Sequence, residues 1–246
     1  MGWGSLEYGP AEGHTPGQLR GGRWKPLHYF YQRSLMTDVM ATCGVTAPQH
    51  HPVFKRGGQD VCYVSNHRAS RPFNGTVTLT AFDHFGDGSG DVLFHRIVEL
   101  PPGPGAIAWL GAAEGLPRLP AGNNTALIST VRDEAGALVS EHMVQLVMPQ
   151  QICVPDAKLS FKIADKANAD GTIDIVVTAD KVALWVTLTS QAQGRFSDNA
   201  FFLPAAAKTV RFVPFSAATA ATDLATLKAS LRVEDFSMYR PLVCGQ

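Results

Sequence analysis

The fold of this chain is decided by an alternating stretch, Thr76-Val77-Thr78-Leu79-Thr80-Ala81, in which polar and apolar side chains take turns. Because successive side chains of a β-strand point to opposite faces, the alternation predicts a strand that is buried on one face. Further strands are predicted on either side of it, at residues 61–64, 92–100, 106–110, 126–131 and 138–147. Turns rich in Gly, Pro and Asp separate these segments. About six strands in roughly a hundred residues indicate an immunoglobulin-like β-sandwich.

The strand pattern restarts after Pro149–Pro155, which predicts a boundary and a second sandwich. Its strands are predicted at residues 159–163, 173–177, 183–188, 209–213 and 231–233. Asn168–Gly171 has the composition of a hairpin turn, and Ser216–Leu227 has that of a short helix. No long helices alternate with the strands, which argues against a doubly wound parallel sheet.

One helix is predicted before the sandwiches, over residues 24–43. Its apolar face consists of residues that recur at three- and four-residue steps, namely Trp24, Leu27, Tyr31, Leu35 and Val39. No neighbouring segment of the sequence supplies a partner for this face. The helix is therefore expected to pack against something distant in the chain or outside it.

The composition excludes several classes of function. The 246 residues carry 21 basic and 21 acidic side chains, whereas a nucleic-acid binder would show a clustered basic excess. Hydrophobic residues make up 45% of the chain, enough for packed cores. No apolar run reaches the length of a transmembrane helix, so neither a membrane nor a nucleic acid is expected as a partner.

No complete catalytic, metal or cofactor motif is found. The loop Asp83–Asp91 holds three carboxylates and a histidine, but a hairpin turn explains this composition better than a cation site does. The pair His50-His51 lacks the rest of a zinc motif. Four cysteines are spread too widely for a zinc ribbon, and their spacing leaves open whether any of them form disulfides.

Two further features concern the surface and the core. The sequons at Asn74 and Asn123 are candidate N-glycosylation sites if the chain is secreted. Three tryptophans, Trp24, Trp109 and Trp185, lie in periodic segments, so core packing is predicted for them rather than sugar stacking.

Several motifs resemble β-mannosidases, which belong to the glycoside hydrolase family that also contains β-galactosidases and β-glucuronidases. Trp3–Tyr8 and Gly22–Phe30 resemble the segment that follows the eighth strand of the catalytic barrel and opens its last helix. In this chain Pro10–Gly21 separates the two halves as an insertion. Gly194–Asn199 and Lys208–Phe212 look like parts of the last immunoglobulin-like domain of the same enzymes.

The resemblance implies a glycosidase mechanism whose two catalytic Glu residues are not in this sequence. In the family, one Glu protonates the leaving oxygen and a second Glu attacks the sugar carbon, with retention of configuration. No residue of this sequence matches either Glu, so no catalytic residue is expected in the chain, and no cofactor or metal is implied. Glu7 matches an acidic loop residue, and Trp3 is the one candidate for contact with substrate, with packing as the alternative.

The predicted fold is mainly β, with two immunoglobulin-like sandwiches preceded by one helix left over from a TIM barrel. Residues 1–45 are interpreted as the barrel remnant, 46–150 as the first sandwich and 151–246 as the second. The expected partners are the missing catalytic barrel and, in the parent enzyme, a β-mannoside oligosaccharide. The compartment is left open: lysosomal or secreted if the parent carries a signal peptide, and otherwise cytoplasmic.

Two alternatives belong to other classes of protein. One is a stand-alone carbohydrate-binding module, which would require an exposed aromatic platform on a sheet face. The other is a purely structural tandem sandwich, which does not account for the predicted helix.

Overall fold

A computed structural model describes residues 24–44, 61–103, 105–120 and 122–239. The first helices and strands are α1 (Pro26–Ser34), β1 (Val39–Gly44), β2 (Val61–Asn66), β3 (Phe73–Asp83), β4 (Asp91–Leu100), β5 (Ala106–Leu110), β6 (Thr125–Asp133) and β7 (Leu138–Gln145). They are followed by β8 (Leu159–Ile163), β9 (Ile173–Ala179), β10 (Ala183–Thr189), β11 (Gly194–Phe196), β12 (Phe201–Leu203), β13 (Ala207–Pro214), α2 (Ala220–Ser230) and β14 (Arg232–Glu234). The described residues form two compact units, one of residues 31–153 and the other of residues 154–239 together with residues 24–30.

The unit of residues 31–153 contains two antiparallel sheets, with strand orders β1-β2-β5 and β4-β3-β6-β7. Its core is built from alternate side chains of both sheets, such as Val64 from β2 and Val77, Leu79 and Val131 from the larger sheet. Thr76, Thr78 and Thr80 are partly exposed on the other face of β3. This inward and outward alternation is the arrangement that the sequence of residues 76–81 predicts.

A disulfide joins Cys43 of β1 to Cys62 of β2, which face each other directly in the strand register with Cα atoms 3.9 Å apart. Both sulfurs point into the core of this unit. Cys153 is buried at the end of the same unit, and its Sγ accepts a hydrogen bond from Asn123 Nδ2. Cys244 lies outside the described residues.

The unit of residues 154–239 also contains two antiparallel sheets, with strand orders β11-β13-β9-β8 and β12-β10-β14. Its buried core comprises Ile173, Ile175, Val177, Val210 and Phe212 from one sheet and Ala183, Val186, Leu188, Phe201 and Leu203 from the other. Tyr29 of α1 and Leu227 of α2 complete this core. The start of α1 therefore belongs to the second sandwich, although more than a hundred residues separate the two in sequence.

The predicted helix over residues 24–43 is wrong in its second half. The helix α1 ends at Ser34, where the amides of Leu35 and Met36 both donate to the Tyr31 carbonyl. Residues Val39–Gly44 form a strand instead, because pairing with β2 satisfies their backbone groups and buries Val39, Ala41 and Cys43 on one face. In this segment the step from Leu35 to Val39 mimics helical spacing, while the true period is two.

The apolar face predicted for this helix is also corrected. Leu27 and Leu35 are 45% and 47% exposed, whereas Tyr29, which was not assigned to the face, is 1% exposed. Pairing and packing with distant residues, rather than the local period, select the buried side of α1.

The remaining strand predictions are confirmed, with bounds that shift by a few residues. Two short strands, β11 and β12, were not predicted because three residues are too few to show a period. The helix expected at Ser216–Leu227 is confirmed as α2, preceded by a 3₁₀ turn at Ala217–Thr219. The predicted turn Asn168–Gly171 connects β8 and β9, with Gly171 in the left-handed region at φ 81°.

Candidate functional site

The start of α1 and the strand β11 form an aromatic cluster that we call the helix anchor, consisting of Trp24, His28, Tyr29, Arg195 and Phe196. The guanidinium carbon of Arg195 lies 4.6 Å from the centre of the Trp24 ring. The Trp24 ring also lies 4.2 Å from the His28 ring and 5.4 Å from the Tyr29 ring, centroid to centroid. A cation over an indole ring is a favourable electrostatic contact that also covers apolar surface.

Tyr29 connects the helix to the backbone of the sandwich. Its hydroxyl oxygen accepts a hydrogen bond of 3.1 Å from the amide of Phe196. Burial raises the pKa of Tyr29 to about 12, and the Phe196 bond and the charge of Arg195 only partly oppose this effect. The phenol is therefore neutral at physiological pH and acts as a structural hydrogen-bonding group rather than as an acid or a base.

The backbone around the helix anchor is held by Asn199 and by a glycine. The side chain of Asn199 accepts a hydrogen bond from the Leu188 amide and donates one to the Leu188 carbonyl, which ties β10 to the loop before β12. Gly194 leaves no room for a side chain, because a Cβ there would lie 2.4 Å from the Phe212 ring. Close packing of β11 on β13 thus places Arg195 and Phe196 under the helix.

A cavity of about 90 Å³ lies beside the helix anchor. Among the described residues that line it there are no carboxylates and no imidazoles. It offers neither the acid and base pair of a glycosidase nor the ligands of a metal ion. The helix anchor is the place where the start of α1 is attached to the second sandwich.

Of the sequence-predicted site residues, the structure describes the two sequon asparagines. Trp3, together with Glu7 and the pair His50-His51, lies outside the described residues. The sequon residues Asn74 and Asn123 are both exposed, and the Asn74 side chain donates to Glu134 Oε1 at 3.1 Å.

The loop Asp83–Asp91 is the hairpin connection between β3 and β4, in agreement with the predicted turn. Asp83 accepts hydrogen bonds from the Phe85 amide and from Asn124, and Asp87 accepts one from the Ser89 amide. Within the described ranges, no three His, Cys, Asp or Glu side chains are grouped as a metal site requires. No helix in the same ranges is long and apolar enough to cross a membrane.

Two of the tryptophans for which core packing was predicted are not core residues. Trp109 of β5 is 61% exposed, and its ring lies 5.5 Å from that of Tyr63 on the neighbouring strand β2. Trp185 of β10 is half-buried and contacts Phe236 edge to face. The prediction failed because strand periodicity identifies two faces without showing which of them is covered.

The sequence reasoning missed the role of Arg195 in the helix anchor. Arg195 belongs to Gly194–Asn199, one of the motifs that carried the resemblance, and Tyr29 belongs to another. The signal was present as two separate motifs, and only the fold shows that they are in contact.

Comparisons with known proteins concern the sandwich fold of the chain. Residues 154–239 match the sequence model of the Ig_mannosidase family, described as an Ig-fold domain. No curated protein sequence matches the chain. The chain is similar in structure to the β-D-mannosidase from Dictyoglomus thermophilum, with a TM-score of 0.60 and 18% identity over 86% of this chain and 23% of that one.

The exo-chitosanase from Amycolatopsis orientalis is also similar, with a TM-score of 0.48 and 15% identity over 85% of this chain and 26% of that one. The chain thus spans about a quarter of the length of these two solved structures. Residues 154–239 therefore match an Ig-fold domain of the mannosidase type, and the resemblance of this part of the chain to β-mannosidases is confirmed.

Proposed function

We propose that this chain is the non-catalytic sandwich region of a β-mannosidase-like glycoside hydrolase. The observation that carries the proposal is the helix anchor, in which two motifs of the family resemblance contact each other through Trp24, Tyr29, Arg195 and Phe196. The match of residues 154–239 to an Ig-fold family of mannosidases supports it. In this role the second sandwich holds the segment that would lead back to a catalytic barrel.

The parent enzyme of the proposal hydrolyses terminal non-reducing β-D-mannose residues with retention of configuration. That reaction needs two carboxyl groups about 5–5.5 Å apart, one as acid and base and one as nucleophile. Neither matches a residue of this sequence, and the cavity at the helix anchor has no carboxylate among its described lining residues. The proposed contribution of this chain to catalysis is thus to support the barrel that would carry both groups.

Activity measurements on the purified chain test the proposal. With 4-nitrophenyl β-D-mannoside we expect no turnover above the uncatalysed rate, while the β-D-mannosidase from Dictyoglomus thermophilum serves as the positive control. Turnover that a single carboxylate substitution within this chain abolishes would overturn the proposal. Sequencing the gene upstream of Met1 tests for the proposed catalytic barrel. We expect an in-frame coding sequence there that contains a Trp-x-Leu-Asn-Asp motif.

A second candidate function, carbohydrate binding, is favoured by one observation on the first sandwich. Tyr63 and Trp109 are neighbours on the outer face of the three-stranded sheet, with ring planes inclined by 48°. Exposed aromatic rings can stack on the apolar faces of sugars. This pair supports the second candidate, because a carbohydrate-binding module requires exposed aromatic rings on a sheet face.

A glycan array probed with the full chain tests the second candidate. Trp109→Ala is expected to abolish any binding through this face. Ile107→Ala is the matched control, because Ile107 is 44% exposed on the same face of β5 but is not aromatic. Binding that is equal in both variants would show that the pair is not a sugar platform.

A further inference from the structure

Trp185 has a backbone conformation that bulky residues rarely adopt. Its φ is 53°, in the left-handed region, and the register of β10 against β12 shifts between Ala183 and Val186 on either side of it. Between these two pairs β10 advances by three residues while β12 advances by two, so β10 contains a β-bulge. Bulges and strained residues of this kind are concentrated at binding sites, where they re-aim a side chain.

The bulge directs Trp185 towards a pocket on the outer face of the sheet β12-β10-β14. Thr187 and Glu234 are directly opposite each other on this face, and the 3₁₀ turn Phe236–Tyr239 borders it. The Thr187 hydroxyl donates to the Trp185 carbonyl at 2.9 Å, which holds the strained residue in place. The Trp185 pocket, of about 240 Å³, is lined by Trp185, Thr187, Glu234, Asp235, Phe236 and Tyr239.

The polar groups of the Trp185 pocket are mainly hydrogen-bond acceptors. Glu234 Oε1 accepts a hydrogen bond of 3.0 Å from the Tyr239 hydroxyl and forms an ion pair with Arg232. Glu234 Oε2 accepts none from the described residues, and a carboxylate has room for about four hydrogen bonds in all. Asp235, which is buried, accepts a hydrogen bond of 2.7 Å from Ser237.

This combination selects one class of ligand. Aromatic rings offer an apolar stacking surface, and carboxylate oxygens accept hydrogen bonds from hydroxyl groups. The guanidinium of Arg232 already compensates the charge of Glu234, which disfavours a cationic ligand at the same carboxylate. The volume is below the roughly 300–1,000 Å³ of sites for drug-sized molecules and suits a single small ring.

We propose that the Trp185 pocket binds one neutral pyranose residue of a carbohydrate, which stacks on Trp185 and donates hydroxyl hydrogen bonds to Glu234. This site is distinct from the Tyr63–Trp109 pair, and it adds a ligand to the sandwich for which only a supporting role is proposed above. It does not rest on the identity of the parent enzyme. Carboxylate-dependent turnover in the mannosidase assay would overturn the supporting role and leave this proposal intact, and absence of sugar binding would leave the supporting role intact.

Saturation-transfer NMR on the full chain with the methyl β-pyranosides of mannose, glucose and galactose tests the proposal. At least one of these sugars is expected to receive saturation from the protein. Trp185→Gly removes the ring and relaxes the left-handed backbone, since glycine adopts positive φ without strain. We expect it to abolish the signal, and Glu234→Gln to weaken binding about tenfold, the usual effect of losing one charge-assisted hydrogen bond.

Each variant is also made in a Trp109→Ala background, which removes the Tyr63–Trp109 pair as a source of signal. Phe161→Ala is the matched control, because Phe161 is an aromatic residue of β8 that is 43% exposed and does not line the pocket, and it is expected to leave the signal unchanged. Circular dichroism of each variant verifies that it remains folded, and Glu234→Gln keeps the proposal testable if Trp185→Gly does not fold. Absence of transfer to all three sugars in the unmodified chain would overturn the proposal. A signal that survives both Trp185→Gly and Glu234→Gln, or binding of tetramethylammonium in place of the sugars, would do the same.

Discussion

Tyr29 shows at the scale of single residues how a segment distant in sequence becomes part of a domain core. The ring is 1% exposed, and its oxygen is the acceptor for the Phe196 amide of β11. An unsatisfied buried amide costs about 1–3 kcal/mol, which is more than the net gain of about 0.5–1.5 kcal/mol from one hydrogen bond. The hydroxyl of Tyr29 therefore matters chiefly because its removal would leave Phe196 without its acceptor.

Tyr29→Phe is expected to lower the free energy of unfolding of the second sandwich by about 1–3 kcal/mol, because the Phe196 amide loses its partner. Urea denaturation measures the change. Tyr63→Phe is the control, since it makes the same chemical change at a partly exposed site in the other unit, with an expected effect within about 0.5 kcal/mol. Equal effects from both variants would contradict the role assigned to Tyr29.

His84 is a buried titratable residue in the β3–β4 hairpin. Desolvation lowers its pKa below the ordinary value of 6.5, while the hydrogen bond to the Cys153 carbonyl and the charge of Asp83 oppose that shift. Because the folded state disfavours the protonated ring, the unfolded state binds more protons once the pH falls below 6.5. This contribution to stability is complete above pH 6.5 and is lost as the pH falls from there towards the lowered pKa.

His84→Asn is expected to reduce the acid sensitivity of the chain. An asparagine amide can still donate to the Cys153 carbonyl, but it does not titrate. Urea denaturation at several pH values below and above 6.5 measures how the free energy of unfolding changes with pH. The slope gives the number of protons taken up on unfolding, and this number should fall by up to one in the variant. Some dependence remains because burial also lowers the pKa of His142. An unchanged dependence on pH would show that His84 is not the group responsible.

At the scale of elements, β1 is the strand whose identity depends most on its partners. Residues 35–43 fit a helical period as well as a strand period, and the strand forms because β2 pairs with it over six residue pairs. The Cys43–Cys62 disulfide joins the two strands directly opposite one another and closes a separation of 19 residues. Pairing and cross-link together hold an edge strand that local sequence leaves ambiguous.

Reduction of this disulfide is expected to lower the stability of the first sandwich by about 2–4 kcal/mol, because the unfolded chain regains the freedom of the closed loop. Thermal and urea unfolding with and without a thiol reductant measure the loss. The double variant Cys43→Ala/Cys62→Ala is the control and should unfold identically in both conditions. If the double variant is still destabilised by the reductant, the loss of stability does not come from the Cys43–Cys62 disulfide.

At the scale of the whole molecule, the two units divide the chain in an order that is not the order of the sequence. Residues 24–30 share a core with residues 154–239, and residues 31–153 have a core of their own. The start of α1 is therefore expected to unfold with the second sandwich, although the first sandwich follows it directly in the chain.

Hydrogen exchange resolved by mass spectrometry tests this grouping. Val177→Ala removes a fully buried side chain from the second core, at a cost of about 2 kcal/mol, and should speed exchange in residues 24–30 as well as in β8–β14. Val131→Ala, equally buried in the first core, is the matched variant and should affect β1–β7 but not residues 24–30. The opposite pattern would contradict the grouping.

The two strand-rich regions, most strand positions and the resemblance can be predicted without the fold, because alternation and short motifs are local properties of a chain. The tertiary structure alone decided that Val39–Gly44 is a strand, that Tyr29 contacts Phe196 and that Trp109 is exposed. Each of these depends on residues far away in the sequence. A strand period marks two faces of a sheet, and only the packing of one sheet on another determines which face is buried.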